Sequence, residues 1–364
     1  MRIAVLNWRD MAHDNSGGAE VFVHEVARRW AESGQEVTLF SSQGPHLPSH
    51  DEVDGVMIER IGRIGNGTHH LLAPRAIART GSFDGILESI NTFPYLTPLH
   101  RRRVPVLTLV HQMALDVWKA HLPQPLASMA AFAEPQLYRP YRNMSLLAVS
   151  ESTRADLAAA GVHDVSVVPQ GGIGRQSKLP GKEACPTFIF VGRLSPNKRP
   201  DHAVAAFLEI KRELKDARLW IVGEGGMKDM LAATLPEGAE MLGRLPRQEL
   251  LDRIGRAHVL LATSVREGWG LVITEASAMG TPSAAYAVPG LVDSVRADVT
   301  GLLVDPDPTA LAGAALQMIS DPDRYRTMSL GAIAWGGEHT WDRTAADLLS
   351  RLQRSAASRH RVPA

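Results

Sequence analysis

The chain has 364 residues, enough for two domains of about 100 to 200 residues, each with its own core. Its 39 basic and 39 acidic residues cancel, which excludes a chain-wide field for gripping nucleic acid or an anionic bilayer. A composition 45% hydrophobic and 21% charged excludes bulk disorder, and the single cysteine, Cys185, excludes an intrachain disulfide. The 14 histidines are scattered and show no zinc-ligand spacing, so no metal site is expected. No apolar run approaches the 18 or so residues of a membrane span, and the run at 3–7 is too short for a signal peptide. A cytoplasmic protein is the expectation.

In chain order, β-branched runs alternate with segments of helical period. A strand is expected at 3–7, a helix at 19–33 and a strand at 36–41, with further strands at 85–87, 104–109 and 146–149. Strand, helix, strand at this spacing reads as βαβ units and a parallel sheet. The rhythm stops in a stretch rich in glycine, charge and proline that begins at Gly171. It resumes with strands at 187–191, 218–222, 259–262 and 283–286 and helices at 201–214 and 271–279. The division expected is a first domain over 1–172, a linker over 173–186 and a second doubly wound domain over 187–340. The tail at 355–364, small, basic and proline-ended, is expected to be disordered. Two α/β domains should bind ligand in the cleft between them, at the C-terminal ends of strands.

Three motifs carry chemistry. Arg266-Glu267-Gly268-Trp269-Gly270-Leu271-Val272-Ile273-Thr274-Glu275 sets two glutamates eight apart across a glycine-rich turn. A helix starting near Gly270 or Leu271 would aim free amides at an anion, and Glu275, one turn in, could accept from hydroxyls. The glycines would let a ligand approach the backbone. Gly192-Arg193-Leu194-Ser195-Pro196-Asn197-Lys198 follows a strand with two cations five apart, a clamp suited to a diphosphate. Gly17-Gly18, between the first strand and helix, offers an amide nest but neither the dinucleotide fingerprint nor a Walker lysine. Taken singly, each has a plainer reading as a solvated loop or a tight turn.

Together, in order, GGAE at 17–20, His111 after a middle strand, SESTRADL at 150–157, VPQGG at 168–172, VGRLSPNK, VGEG at 222–225, LGRLP at 242–246 and REGWGLVITEA resemble the family 4 retaining glycosyltransferases. The resemblance spans residues 1 to about 350. It implies the GT-B fold, two Rossmann-like domains facing a cleft, with a nucleoside diphosphate sugar held mainly by the second domain and a hydroxyl acceptor by the first. It implies Glu275 on the donor's ribose, Glu267 on the transferred sugar, and Arg193 and Lys198 on the diphosphate with the amides of Gly270, Leu271 and Val272. It further implies Gly17 and Gly18 over the donor phosphates, His111 beside the reacting sugar, and Arg244 and Leu245 at the base. Gly268 and Trp269 belong to the same donor loop, and the segment 341–354 to a helix that crosses back to the first domain. No cofactor or metal is implied, since no Asp-x-Asp pair follows a strand.

The sequence departs from the family at Trp269, where phenylalanine is commoner, at Gln170, where asparagine is usual, and over Val288-Pro289-Gly290-Leu291. Asp116 reads as a solvated helix residue, Trp118 as core or acceptor wall, and Glu151 as a helix-capping residue. Arg101–Arg103 is the strongest local positive charge and could make a weak peripheral contact with the inner face of a membrane, although a solvated loop is the plainer reading. Two alternatives stay open: a catalytically silent sugar-nucleotide binding module, and an epimerase or phosphorylase on the same fold. Base, sugar, acceptor and oligomeric state are not legible.

Overall fold

The computed structural model describes residues 1–360 apart from Asn15, Ile64, Asn66, Gly81, Arg101, Arg102, Arg103 and Pro169. The expected membrane contact at Arg101–Arg103 and the last four residues of the expected tail lie outside the described residues. The chain forms two compact units: residues 1–115, 129–171 and 341–364 make the first, and residues 116–128 and 172–340 the second.

The first 171 residues run β1 (Arg2–Leu6), α1 (Gly18–Glu32), β2 (Glu36–Ser41), β3 (His50–Val53), β4 (Val56–Arg60), α2 (Thr68–Arg79), β5 (Gly85–Ile90), α3 (Thr97–His100) and β6 (Val106–Val110). There follow α4 (Asp116–His121), α5 (Leu126–Ala133), a 3-10 helix (Glu134–Tyr141), β7 (Leu146–Ala148), α6 (Glu151–Ala159) and β8 (Val165–Val167). The eight strands of the first unit lie in the order β3-β4-β2-β1-β5-β6-β7-β8. All pairings are parallel except β3 with β4, a hairpin closed by Asp54 and Gly55, both at positive φ as a two-residue turn requires. That Asp-Gly pair was a legible turn signal that the strand expectations passed over. The core is built by period: α1 buries Ala19, Phe22, Val23, Val26, Ala27 and Trp30, one stripe at helical spacing, while β5 is buried along its whole length. Within that strand Glu88 is fully buried. Its carboxylate accepts from the amide of Tyr95, the hydroxyl of Tyr141 and the hydroxyls of Thr97 and Thr108. Burial pushes its pKa up, and the four donors satisfy the group in place of water.

The second unit continues with β9 (Thr187–Val191), α7 (Pro200–Glu213), β10 (Arg218–Val222), α8 (Lys228–Ala233), β11 (Ala239–Gly243), α9 (Arg247–Arg256), β12 (Val259–Ala262) and α10 (Leu271–Ala278). It ends with β13 (Ser283–Tyr286), α11 (Leu291–Ser294), β14 (Gly301–Val304), α12 (Pro308–Ser320) and α13 (Pro322–Gly337). Its sheet is wholly parallel, in the order β11-β10-β9-β12-β13-β14. The strand order reverses between β9 and β12, the place in an open α/β sheet where loops diverge and ligands bind. The last helix, α14 (Trp341–His360), belongs to the first unit. Trp30 donates its indole N–H to the Ala345 carbonyl at 2.8 Å, and Trp341 packs edge-on against Phe22.

Three boundaries differ from expectation. The stretch 173–186 is packed into the second unit: Lys182 Nζ donates to the Ala257 carbonyl and to Thr281, and Glu183 pairs with Arg256. Residues 116–128 cluster with the second unit although they lie amid the first in sequence. The helix that was expected to end at 354 continues to His360, so 355–360 is helical rather than disordered. Alanine and arginine are good helix formers, and nothing between 341 and 360 is a glycine or proline that would stop the helix.

Candidate functional site

In the second unit, β9 and β12 are neighbours, with Phe188 opposite Val259 and Ile189 opposite Leu260. The loops leaving their C-terminal ends, 192–199 and 263–270, are therefore adjacent despite some 70 intervening residues. Thr263 Oγ1 donates to the carbonyls of Lys198 and Arg199, each at 2.8 Å, and the Val265 amide donates to the Asn197 carbonyl at 2.8 Å. These bonds hold the two-cation loop against the glycine-rich loop.

Across that junction Lys198 Nζ donates to a Glu267 carboxylate oxygen that also accepts from Ser264 Oγ at 2.6 Å. The lysine and the glutamate keep about a quarter and a sixth of their side-chain surface open, so both remain reachable by a ligand. Arg193 is exposed on the same loop. The Glu267 amide donates to the Pro289 carbonyl, and Gly290 lies so close that a β-carbon there would sit 2.2 Å from the Glu267 carbonyl oxygen. Gly290 also has φ +84°, so only glycine is compatible with both its conformation and its neighbour. The departure at 288–291 thus keeps the one residue its contact with Glu267 needs.

Gly270, at φ +91°, turns the chain into α10. The amides of Leu271 and Val272 come in the first turn, where no intrahelical acceptor exists. Glu275 lies one turn further, 7% exposed, and pairs with Arg247 at 2.8 Å. Burial pushes its pKa up while the guanidinium opposes the shift. Arg247 opens α9 just past the β11 loop that carries exposed Arg244 and half-buried Leu245. Sequence reasoning missed Arg247, because nothing in a local pattern pairs it with a glutamate 28 residues on. The second unit thus gathers Arg193, Lys198, Glu267, Glu275 and the α10 N-terminus at one end of its sheet.

Trp269, where phenylalanine is commoner, buries an indole N–H that has no hydrogen-bond partner. Its ring lies 6.4 Å from that of Trp335 and 5.5 Å from that of His339, forming an aromatic cluster. Asp116 opens α4 with 43% of its side chain exposed, as expected of a solvated helix residue, and it also pairs with Arg266 at 3.3 Å and Lys119 at 3.1 Å. Arg266 directly precedes Glu267 and is 6% exposed. Among the described residues, no group of three or more His, Cys, Asp or Glu side chains gathers as metal ligands.

In the first unit, Gly17 caps α1 and donates its amide to Glu20 at 2.7 Å, while Trp8 donates its indole N–H to the same carboxylate at 2.6 Å. Burial raises the pKa of Glu20, opposed chiefly by the charge of Arg9. The Gly17-Gly18 turn is therefore held by a buried glutamate one turn into its helix. His111 follows β6 and is 6% exposed, edge-on to Phe22 at 5.2 Å. Its Nε2 lies 3.0 Å from Ser89 Oγ, which is 2.9 Å from Asn7 Oδ1, and Asn7 Nδ2 donates to the Arg9 carbonyl. The Arg9 carbonyl orients the Asn7 amide, so Ser89 gives its one proton to Asn7 and accepts from His111 Nε2–H. Burial pushes the imidazole down to about 4, so it is neutral at pH 7 with Nδ1 as the ring's acceptor. Neither Asn7 nor Ser89 was singled out from sequence.

Sucrose-phosphate synthase from Thermosynechococcus elongatus matches this structure with a TM-score of 0.81 at 21% identity, covering 98% of this chain and 99% of that one. HepE of Anabaena, in complex with UDP and glucose, matches with a TM-score of 0.72 at 18% identity over 97% and 100%. The fold is that of the GT-B glycosyltransferases. The family model described as Glycosyltransferase Family 4 matches residues 16–171, and that described as Glycosyl transferases group 1 matches residues 175–335. The chain belongs to this glycosyltransferase family and is a transferase. A D-inositol 3-phosphate glycosyltransferase of Thermobispora bispora is 28% identical over 96% of this chain and 92% of its own length. One of Salinispora tropica is 29% identical over 96% and 83%.

Proposed function

We propose that this glycosyltransferase moves a hexose from a nucleoside diphosphate sugar, of the UDP or GDP kind, to a hydroxyl acceptor with retention at the anomeric carbon and without a metal. The observation that carries the reading is the junction of Lys198 with Glu267 beside the α10 N-terminus. It gathers cations, first-turn amides and a carboxylate where a diphosphate and its sugar would each find a partner. In this reading Arg193, Lys198 and the amides of Gly270, Leu271 and Val272 hold the diphosphate. Glu275 takes the ribose hydroxyls, Glu267 the sugar hydroxyls, and the backbone around Arg244 and Leu245 the base. Gly268 and Trp269 shape the donor loop, while Gly17, Gly18 and neutral His111 serve the reacting sugar from the first unit.

The bond between the anomeric carbon and the phosphate oxygen breaks as the acceptor oxygen bonds to the same face. The acceptor's proton passes to the departing diphosphate oxygen. The cations stabilise the charge that grows on that leaving group, the part a metal plays elsewhere. A cytoplasmic setting accords with the free Cys185 and with the absence, among the described residues, of any helix long and apolar enough to cross a membrane.

The test is thermal unfolding with UDP, GDP, ADP and CMP, with and without EDTA, followed by NMR of the product's anomeric coupling. A ligand at a hundredfold excess over its Kd stabilises by about 2.7 kcal/mol. A selective, EDTA-insensitive rise with product of the donor's anomeric configuration is expected. Inversion, or a strict metal requirement, would overturn the corresponding part.

A further inference from the structure

We propose that Asp116 of α4 is a positioning residue for the donor site of the second unit, holding Arg266 so that the next residue, Glu267, keeps its place against Lys198. The inference rests on the transferase reading and adds to that site a carboxylate from outside its two loops.

The helix α4 lies amid the first unit in sequence but clusters with the second. None of its six residues is buried, so α4 adds no side chain to an apolar core. What it brings to the second unit is polar contact. Arg266 Nη2 donates to Asp116 Oδ2 at 3.3 Å, and His121 Nε2 lies 3.1 Å from Asn197 Oδ1. Asn197 directly precedes Lys198, as Arg266 precedes Glu267. One short helix thus meets both donor loops a single residue before the two groups that form their ion pair.

Asn197 is a node in its own right. Its Oδ1 also accepts from Ser195 Oγ at 2.8 Å, and its carbonyl accepts from the Val265 amide at 2.8 Å. Arg266 is 6% exposed, and a guanidinium so far from water depends on carboxylate. Taking Asp116 away leaves a buried charge with one carboxylate fewer, which the loop relieves by moving, Glu267 with it. Burial raises the Asp116 pKa, but Lys119 and Arg266 outweigh it and hold the carboxyl below its ordinary range, so the pair is ionised at pH 7.

The entry to α4 is fixed as well. Glu134, 2% exposed, accepts from the amides of Ala114 at 2.6 Å and Leu115 at 2.9 Å. Leu115 takes φ +27°, a left-handed value that leucine rarely adopts. A strained residue held in place directly before Asp116 is a feature that accompanies functional placement.

The test uses the full chain and the variants Asp116→Asn, Asp116→Glu, Arg266→Gln and Lys119→Gln. The last removes the exposed partner of the same carboxylate. Labelling of Lys198 by acetic anhydride, read by mass spectrometry, reports its pairing with Glu267 without any substrate. It is expected to rise about threefold in Asp116→Asn, to return toward wild type in Asp116→Glu and to stay unchanged in Lys119→Gln. Release of nucleotide from UDP-glucose and GDP-mannose into water should show kcat about tenfold lower in Asp116→Asn with KM within about twofold. Arg266→Gln should cost as much, and the double variant with Asp116→Asn no more than either. Wild-type labelling and kcat in Asp116→Asn overturn the role, even where the unfolding midpoint falls, since α4 would then be structural alone. Equal changes in Lys119→Gln, or additive losses in the double variant, overturn it too. A labelling response in a protein that turns over neither sugar nucleotide leaves the placement of Glu267 standing and removes the donor reading instead.

Discussion

Lys198 and Glu267 come from different loops, 69 residues apart, and form an ion pair at the junction of β9 and β12. Neither residue can be changed without altering the other's charge environment. Lys198→Ala is expected to cut kcat/KM by about a hundredfold or more, because it removes leaving-group stabilisation and leaves Glu267 with Ser264 alone. Lys198→Arg should restore stability but little turnover, since a forked guanidinium does not replace a compact ammonium. Steady-state kinetics with the identified donor check both, and wild-type turnover in Lys198→Ala would remove the lysine from the reaction.

Arg247→Ala strands the Glu275 carboxylate in its buried position. The arginine is nearly half exposed, so solvent screening limits the cost to about 1–2 kcal/mol. Glu275→Ala, by contrast, should weaken nucleoside diphosphates while leaving inorganic pyrophosphate affinity near wild type. Parallel titrations of the two ligands decide it: equal losses would take Glu275 off the ribose.

Gly290→Ala puts a β-carbon 2.2 Å from the Glu267 carbonyl at a φ of +84°. A loss of about 2 kcal/mol or more follows, seen as a lower midpoint in denaturant, together with reduced activity because Glu267 must shift. Gly313→Ala, in a helix where the added carbon meets nothing within 4 Å, serves as the control and should be neutral or mildly stabilising.

His111 is depressed from the ordinary 6.5 to about 4 by burial. Between these values the unfolded chain binds more protons than the folded one, so its contribution to stability is complete above pH 6.5 and is lost as pH falls toward 4. The size is on the order of 3 kcal/mol. Unfolding curves from pH 7.5 to 4.5 should show a falling midpoint, shallower in His111→Asn. An unchanged slope in that variant would mean that other groups carry the acid sensitivity, such as His70, which burial also pushes to about 4.

Local pattern was enough to place β1, β9, β10, β12 and β13 within a residue or so, and with them the two loops bearing Arg193, Lys198, Glu267 and Glu275. Alternation of apolar runs with helical stripes is written into neighbouring residues, so a doubly wound sheet can be read without knowing which strands touch. The short strands β3, β4, β8, β11 and β14 escaped because their few residues lack a strong period.

Pairing over distance belonged to the tertiary structure alone. Arg247 meets Glu275, Asn7 orients Ser89 and through it His111, and residues 116–128 join the second unit. A charge or hydroxyl carries no mark of its partner in its own stretch of chain. Its partner is set by which strands lie side by side, and strand order follows from packing the whole sheet rather than from any one segment.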